Sequence, residues 1–434
     1  MSGAVLLRDA RLFDPALGLD RTTDLLAERG RIVAIGRGLA AAGARVLDGG
    51  GLIAFPGFID LHAHLREPGE THKEDVVTGA CAAAHGGFTA VVAMANTRPP
   101  IDGPAAVAAA RARARVARCR GGARVWQAAC LTVGMAGERP TDARALRRAG
   151  AIALSDDGRS LGRADVLFEA LRLAADAGLV VLDHAEDQGL APGVAHDGPI
   201  GRARGLAPRR AVAESAQAAR DMALADAAGA RLHLQHVSAA ATVTLLREAR
   251  ARGQAVTAEG TPHHLLLTEE ALTWAGTAAR VNPPLREASD RDAVWQALRD
   301  GTIDAVATDH APHAESEKAV AFTDAPAGIS GLDGAVSLVY QEVRAGRLSL
   351  ETFVARFAYG PAQVLGRPPE RLAEGAPLAI TLFRPDEPWR LDPETMRSSG
   401  HNTPFLGRDL VGRPAGILLP DGDDETTEEE ERAC

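Results

Sequence analysis

The strongest constraint on this chain is an alternation. Eight short apolar runs, each followed by a stretch of helical periodicity, recur between residues 58 and 307. The runs are Phe58–Leu61, Thr89–Met94, Arg124–Ala129, Ala151–Leu154, Leu179–Leu182, Arg231–Leu234, Ala255–Ala258 and Ile303–Ala307. Stretches rich in Ala, Arg, Glu and Leu lie between them, and Pro104–Arg118, Ala164–Ala177, Glu214–Ala228 and Ala241–Arg252 are expected helices. Strands fully covered by helices read as continuous apolar runs, and eight strand–helix units predict a (β/α)8 barrel. A doubly wound sheet is the rival, but no Gly-x-Gly-x-x-Gly turn follows the first run. The chain's two ends have another texture. Short strands broken by turn residues recur at Val5–Phe13, Asp24–Ala27 and Arg31–Ile35, and again at Ala376–Phe383 and Ala415–Leu419. They are expected to pair into a small β-sandwich domain from residues 1–55 and 368–420, beside a barrel spanning 56–367. With aromatic residues at only 4%, the core must be filled by Ala, Val, Leu and Ile.

Histidine placement narrows the chemistry. The first run leads into His62-Ala63-His64, and in extended chain residues two apart point the same way, so both imidazoles can meet one ion. The fifth run leads into Asp183-His184-Ala185-Glu186, the sixth into His233-Leu234-Gln235-His236, and the eighth into Thr308-Asp309-His310-Ala311-Pro312-His313. In a barrel all these ends share the C-terminal rim, where active sites are assembled. Imidazole with carboxylate suits zinc and its neighbours. None of the four cysteines (Cys81, Cys119, Cys130, Cys434) lies near these motifs, which favours a catalytic site over a structural thiolate site. No disulfide framework is expected from their spacing.

These motifs, taken together, resemble the type I dihydroorotases of the amidohydrolase superfamily. The resemblance is carried by Gly57-Phe58-Ile59-Asp60-Leu61-His62-Ala63-His64-Leu65-Arg66-Glu67-Pro68-Gly69, Asn96-Thr97-Arg98-Pro99, Ser155-Asp156-Asp157-Gly158, Thr261-Pro262-His263-His264, Val281-Asn282-Pro283-Pro284-Leu285-Arg286, the eighth-strand motif above, and the closing Asn402-Thr403-Pro404-Phe405. It implies two zinc ions per chain. His62, His64 and Asp309 would hold one, and His184 and His236 the other, with a hydroxide between them. Many relatives add a carboxylated lysine at the fourth strand's end, but Lys73 and Lys318 are the only lysines and neither lies there. The family branch with Asp-Asp-Gly uses the second acid, so Asp157 is the expected bridge and Asp156 a support of the turn. The resemblance further implies reversible cyclisation of N-carbamoyl-L-aspartate to dihydroorotate, a step of pyrimidine synthesis, with Asp309 as general acid and base. Arg66 is expected to hold the substrate's free carboxylate. Substrate contacts are also expected from His64, Asn96, Asn282 and His313 and from the backbone at Ala327 and Gly328. Ala327 stands where a bulkier Phe is frequent, which implies a roomier pocket. His263 and His264 are not expected to be ligands.

Two alternatives share the fold. Allantoinase or dihydropyrimidinase chemistry normally uses the carboxylated lysine and a substrate without the carboxylate. A non-catalytic subunit scaffolding aspartate transcarbamoylase would have lost metal ligands. Association with that enzyme and a homodimer are possible partners by resemblance only.

Charge and hydropathy exclude other classes. Net charge is −9, of which −7 sits in residues 421–432 with eight acids and one base. Residues 421–434 therefore read as an acidic disordered tail. No basic, aromatic-rich patch points to nucleic acid, and no apolar run approaches the roughly 18 residues needed to span a bilayer. With no signal-peptide pattern at the N-terminus, a cytoplasmic location is expected.

Overall fold

The computed structural model describes residues 3–420. Its centre is an eight-stranded parallel sheet made of Phe58–Ala63, Phe88–Ala93, Arg124–Ala129, Ala153–Leu154, Val180–Asp183, Leu232–Leu234, Val256–Gly260 and Ala305–Val306, each strand beside its neighbours in sequence. The sheet closes between its first and last strands. Ala63 bridges His310 in parallel, His64 N donates to His310 O at 2.7 Å, and His310 N donates to His62 O at 3.3 Å. Asp60 reinforces the seam by accepting from Thr308 N at 2.8 Å and from the Thr308 hydroxyl at 2.6 Å. The result is the expected (β/α)8 barrel.

All eight apolar runs became strands, and the first two are buried along their whole length. The four expected helices are present as Pro104–Cys119, Ala164–Ala177, Ala211–Ala228 and Ala240–Ala251. Their ends follow local chemistry. Gly178 and Gly229 end the second and third in the left-handed region (φ 68° and 63°), which only glycine enters without a Cβ penalty. Asp75 starts the helix Val76–His85 by accepting from the amides of Val77 and Thr78. Inside the barrel, Ile59, Leu61, Val92, Met94, Trp126, Val180 and Leu182 form one buried cluster with Ala362 and Val364 of the short helix Gly360–Val364.

The chain's ends form one seven-stranded mixed sheet from Val5–Asp14, Leu19–Glu28, Arg31–Gly36, Arg45–Asp48, Ile53–Pro56, Ile380–Leu391 and Arg408–Leu418. Leu7, Leu12, Leu25, Ile32, Leu378 and Ile380 make its core. No helix among the described residues is long and apolar enough to cross a membrane. The acidic segment expected at 421–434 lies outside the described residues.

Candidate active site

The C-terminal rim gathers the strand-end histidines and acids around one point. His62 Nε2 lies 3.4 Å from Asp309 Oδ1 and 3.5 Å from Asp157 Oδ1. His64 Nε2 lies 3.2 Å from Asp309 Oδ1 and 3.3 Å from Asp157 Oδ2. On the other side of Asp157, His184 Nδ1 is 3.4 Å and His236 Nε2 3.8 Å from Oδ1, and these two nitrogens are 2.8 Å apart. Asp157 thus sits between the two histidine pairs. Asp156 is turned away, with its carboxylate taken by the amides of Leu131 (2.8 Å) and Thr132 (3.1 Å) and by the Thr132 hydroxyl.

This donor set fits divalent cations. His62, His64 and Asp309 bring ligand atoms within 4.8 Å of one another, as do His62, Asp157 and His236. His62 Nε2 and Asp157 Oδ1 are buried and have no hydrogen-bonding partner among the described residues, a costly arrangement unless a ligand completes it. Burial alone would raise the pKa of Asp157, yet His62, His184 and His236 hold it well below the usual carboxylate range. Burial likewise opposes charge on His184, but Asp157 and Glu186 push it up to about 9. The carboxylates therefore draw positive charge onto this spot. Neither lysine joins it, because Lys73 pairs with Glu70 at 2.8 Å and Lys318 bonds backbone carbonyls.

A ring of side chains outside the cluster orients the ligands. Glu259, at the end of the seventh strand, is fully buried; its Oε1 lies 2.8 Å from His62 Nδ1 and its Oε2 3.0 Å from His233 Nε2. Occupying Nδ1 leaves His62 to present Nε2 inward. Glu186, bound by Arg209 Nε at 2.8 Å, lies 3.4 Å from His184 Nε2, so that ring presents Nδ1 instead. Asn96 Oδ1 accepts from His64 Nδ1 at 2.9 Å, and its amide nitrogen reaches Asp157 Oδ2 at 3.3 Å. Sequence reasoning gave no role to Glu259 or Arg209. An isolated acid or arginine at a strand or helix end carries no distinguishing signal, and Glu259 is 197 positions from His62.

An open cavity of about 510 Å3 lies over the cluster, lined by His64, Arg66, Asn96, Asp157, His184, His236, Asn282, Asp309, Ala311, Ala327 and Gly328 among others. Arg66 Nε donates to Pro312 O at 3.1 Å. Neither neighbouring acid takes its guanidinium, because Glu67 pairs with Arg113 and Glu70 with Lys73. Asn282 Oδ1 is buried with no hydrogen-bonding partner among the described residues. The turn that presents it is held by His264, whose Nε2 donates to Pro283 O at 2.9 Å. Burial keeps His264 well below the ordinary histidine pKa and His263 at about 4, so both are neutral. His313 stands beside the cavity's lining, donating from Nε2 to Ala327 O at 2.9 Å; burial next to Arg66 pushes its pKa down to about 3. Three of these residues, Arg66, His236 and Asp309, adopt positive φ (58°, 35° and 46°), a strained conformation that concentrates at functional sites.

Known proteins resemble this chain in sequence and in fold. The family model for dihydro-orotase-like proteins matches residues 51–242. The dihydroorotase of Pelotomaculum thermopropionicum is 43% identical over 96% of this chain and 97% of its own length. That of Thermus aquaticus is 44% identical, again over 96% and 97%. Among solved structures, the L-hydantoinase (dihydropyrimidinase) from Arthrobacter aurescens has a TM-score of 0.84 at 24% identity, covering 98% of this chain and 97% of that one, and shows the fold. The dihydropyrimidinase from Brevibacillus agri NCHU1002 has a TM-score of 0.79 at 27% identity, over 96% and 94%. With relatives this similar along nearly its whole length, and with the barrel and rim cluster in place, the chain belongs to the dihydroorotase family of amidohydrolases.

Proposed function

We propose that this chain catalyses the reversible interconversion of dihydroorotate plus water with N-carbamoyl-L-aspartate. The observation that carries the reading is Arg66, whose guanidinium borders the cavity beside the rim cluster while both adjacent acids are engaged elsewhere. A planar cation in that position calls for a ligand with a carboxylate. Dihydroorotate carries one; hydantoin and dihydrouracil do not.

His62, His64 and Asp309 would hold one zinc ion and His184 and His236 the other, with Asp157 bridging. Such a pair, when bound, supplies a water ionised at neutral pH and polarises the carbonyl under attack. The chain's own groups do the remainder. Glu259, Glu186 and Asn96 fix which nitrogen each imidazole presents. In ring opening Asp309 accepts the proton of the attacking oxygen and passes it to the leaving amide nitrogen. In ring closure it takes the proton from the ureido nitrogen as that atom attacks the side-chain carboxylate, and water leaves. Arg66 holds the carboxylate that does not react, with Asn282, His313 and the Ala327–Gly328 backbone at the ring and Asn96 shared between substrate and His64.

The test is turnover of the zinc-loaded chain on dihydroorotate, hydantoin and dihydrouracil. The expected preference for dihydroorotate is at least about a hundredfold, as for sites built around a polar group that a competitor lacks. Comparable rates on the uncharged rings would overturn the substrate. A chain that binds no zinc and turns over nothing would favour a scaffolding role.

A further inference from the structure

Ala327 and Gly328 line one wall of the cavity, and hydrogen bonds from three side chains hold the backbone there. Three successive carbonyls each accept a hydrogen bond from a different side chain. Pro326 O takes Lys318 Nζ at 2.8 Å, Ala327 O takes His313 Nε2 at 2.9 Å, and Gly328 O takes Asn402 Nδ2 at 2.9 Å. Lys318 and Asn402 do not line the cavity.

Each of the two is committed to this wall. The Lys318 ammonium has three N–H groups, and its other acceptors are Thr277 O at 3.2 Å and Arg280 O at 3.4 Å. Arg280 O also accepts from Gly328 N at 2.9 Å, so the same lysine braces the wall from behind. Lys318 is buried, and among the described residues no carboxylate lies within ion-pair distance of it; Glu317 faces Lys73 instead. Burying an amine against neutral carbonyls alone is expensive, and such expense is retained where function needs it. Asn402 uses its whole carboxamide. Nδ2 also donates to Ala311 O at 3.1 Å, while Oδ1 accepts from His313 N at 2.8 Å and from the Ser330 hydroxyl at 3.0 Å. One side chain thereby ties Ala311, His313 and Gly328 together. Gly328 itself has φ 147°, and a Cβ there would lie 2.7 Å from Ala311 O and 2.9 Å from His313 Nε2. The wall has no slack.

We propose that Lys318 and Asn402 are positioning residues for substrate binding, fixing the Pro326–Gly328 backbone so that the peptide groups at Ala327 and Gly328 meet the ring of the bound cyclic amide beside Asn282. The inference rests on the proposed dihydroorotate reading for the identity of that ring.

Lys318→Met keeps the length and removes every donor. Asn402→Asp keeps the shape and turns two donors into lone pairs facing the carbonyls of Ala311 and Gly328. Both zinc-loaded variants should show a KM for dihydroorotate raised at least about tenfold, the scale of one or two lost buried hydrogen bonds. kcat should stay within about threefold, with zinc content unchanged. Amide hydrogen exchange at residues 327–330 should accelerate in both. Lys318→Gln, which retains an amide donor, should restore part of the KM and replaces the Met variant should that fail to accumulate. An unchanged KM with only a lowered melting temperature would reduce both residues to fold support and overturn the proposal, as would a fall in kcat alone. Wild-type enzyme inactive on dihydroorotate would count against the substrate; the exchange measurement would still decide the bracing, and unchanged exchange would refute it.

Discussion

Asp309 combines three demands at one position: it faces His62 and His64, it borders the cavity, and it does so at positive φ. Replacing it by Asn keeps the size and one ligand oxygen but removes the proton acceptor. Asp309→Asn should retain most of its zinc by elemental analysis while losing at least about 100-fold in kcat in both directions, the scale of general acid–base catalysis; near-normal turnover would remove the proton-transfer role. Arg66→Met should behave differently, raising KM for dihydroorotate about 100-fold or more with a smaller change in kcat, because in the proposed reading the lost contact serves the unreactive carboxylate. Glu259 never touches substrate, so its variant is read in metal affinity. Glu259→Gln keeps an acceptor for His62 Nδ1 but discards the charge shared with His233, and chelator competition should show zinc held about 10- to 100-fold more weakly. These residues also mark the limit of legibility. Paired histidines at a strand end announce themselves, because period-two geometry and metal chemistry coincide there. Glu259, Lys318 and Asn402 do not, since each acquires meaning only from a partner brought close by the closed barrel.

The barrel strands were legible as elements because burial on both faces leaves uninterrupted apolar runs. The terminal sheet was less so. Its last two strands were expected at Ala376–Phe383 and Ala415–Leu419 but extend over Ile380–Leu391 and Arg408–Leu418. The stretch Arg384–Pro388 breaks the apolar pattern, and the structure absorbs it in a register shift opposite Val411–Arg413. The loop after the eighth strand is braced at Pro326, Ala327 and Gly328. Its lysine yields a prediction at this scale. Burial, with Arg280 and Arg66 nearby, pushes Lys318 down to about 7 against the pull of Glu317 on its own helix, with His313 neutral. The unfolded chain keeps that proton up to about pH 10.4. Between these values the unfolded state binds more protons than the folded one, so stability from this group rises with pH across the window. The melting temperature of the wild type relative to Lys318→Met should therefore climb between pH 7 and pH 10, and a flat or falling difference would contradict a buried, deprotonating amine.

At the scale of the whole molecule, sheet and barrel share one core. Phe55 of the terminal sheet stacks on Phe58 of the first barrel strand at 5.4 Å, and Phe13, Phe353 and Phe383 surround it at 6.1 to 6.2 Å. Thr381 joins the two backbones, accepting from Phe58 N at 3.1 Å and donating to Gly87 O at 2.7 Å. About 20 residues further on, Asn402 reaches the opposite rim and grips the cavity wall at Gly328. The C-terminal segment thus runs the barrel's length, tying its base to its catalytic mouth. Such coupling makes independent unfolding of the sheet costly, because it would expose the aromatic cluster and release the wall together. Phe55→Ala should cost about 3–5 kcal/mol, and both parts should still melt in a single transition, with the aromatic near-ultraviolet signal and dihydroorotate turnover lost over the same temperature range. A variant whose sheet melts first while turnover persists would show that the barrel holds its mouth without the terminal segment, and the coupling argued from Thr381 to Asn402 would fail.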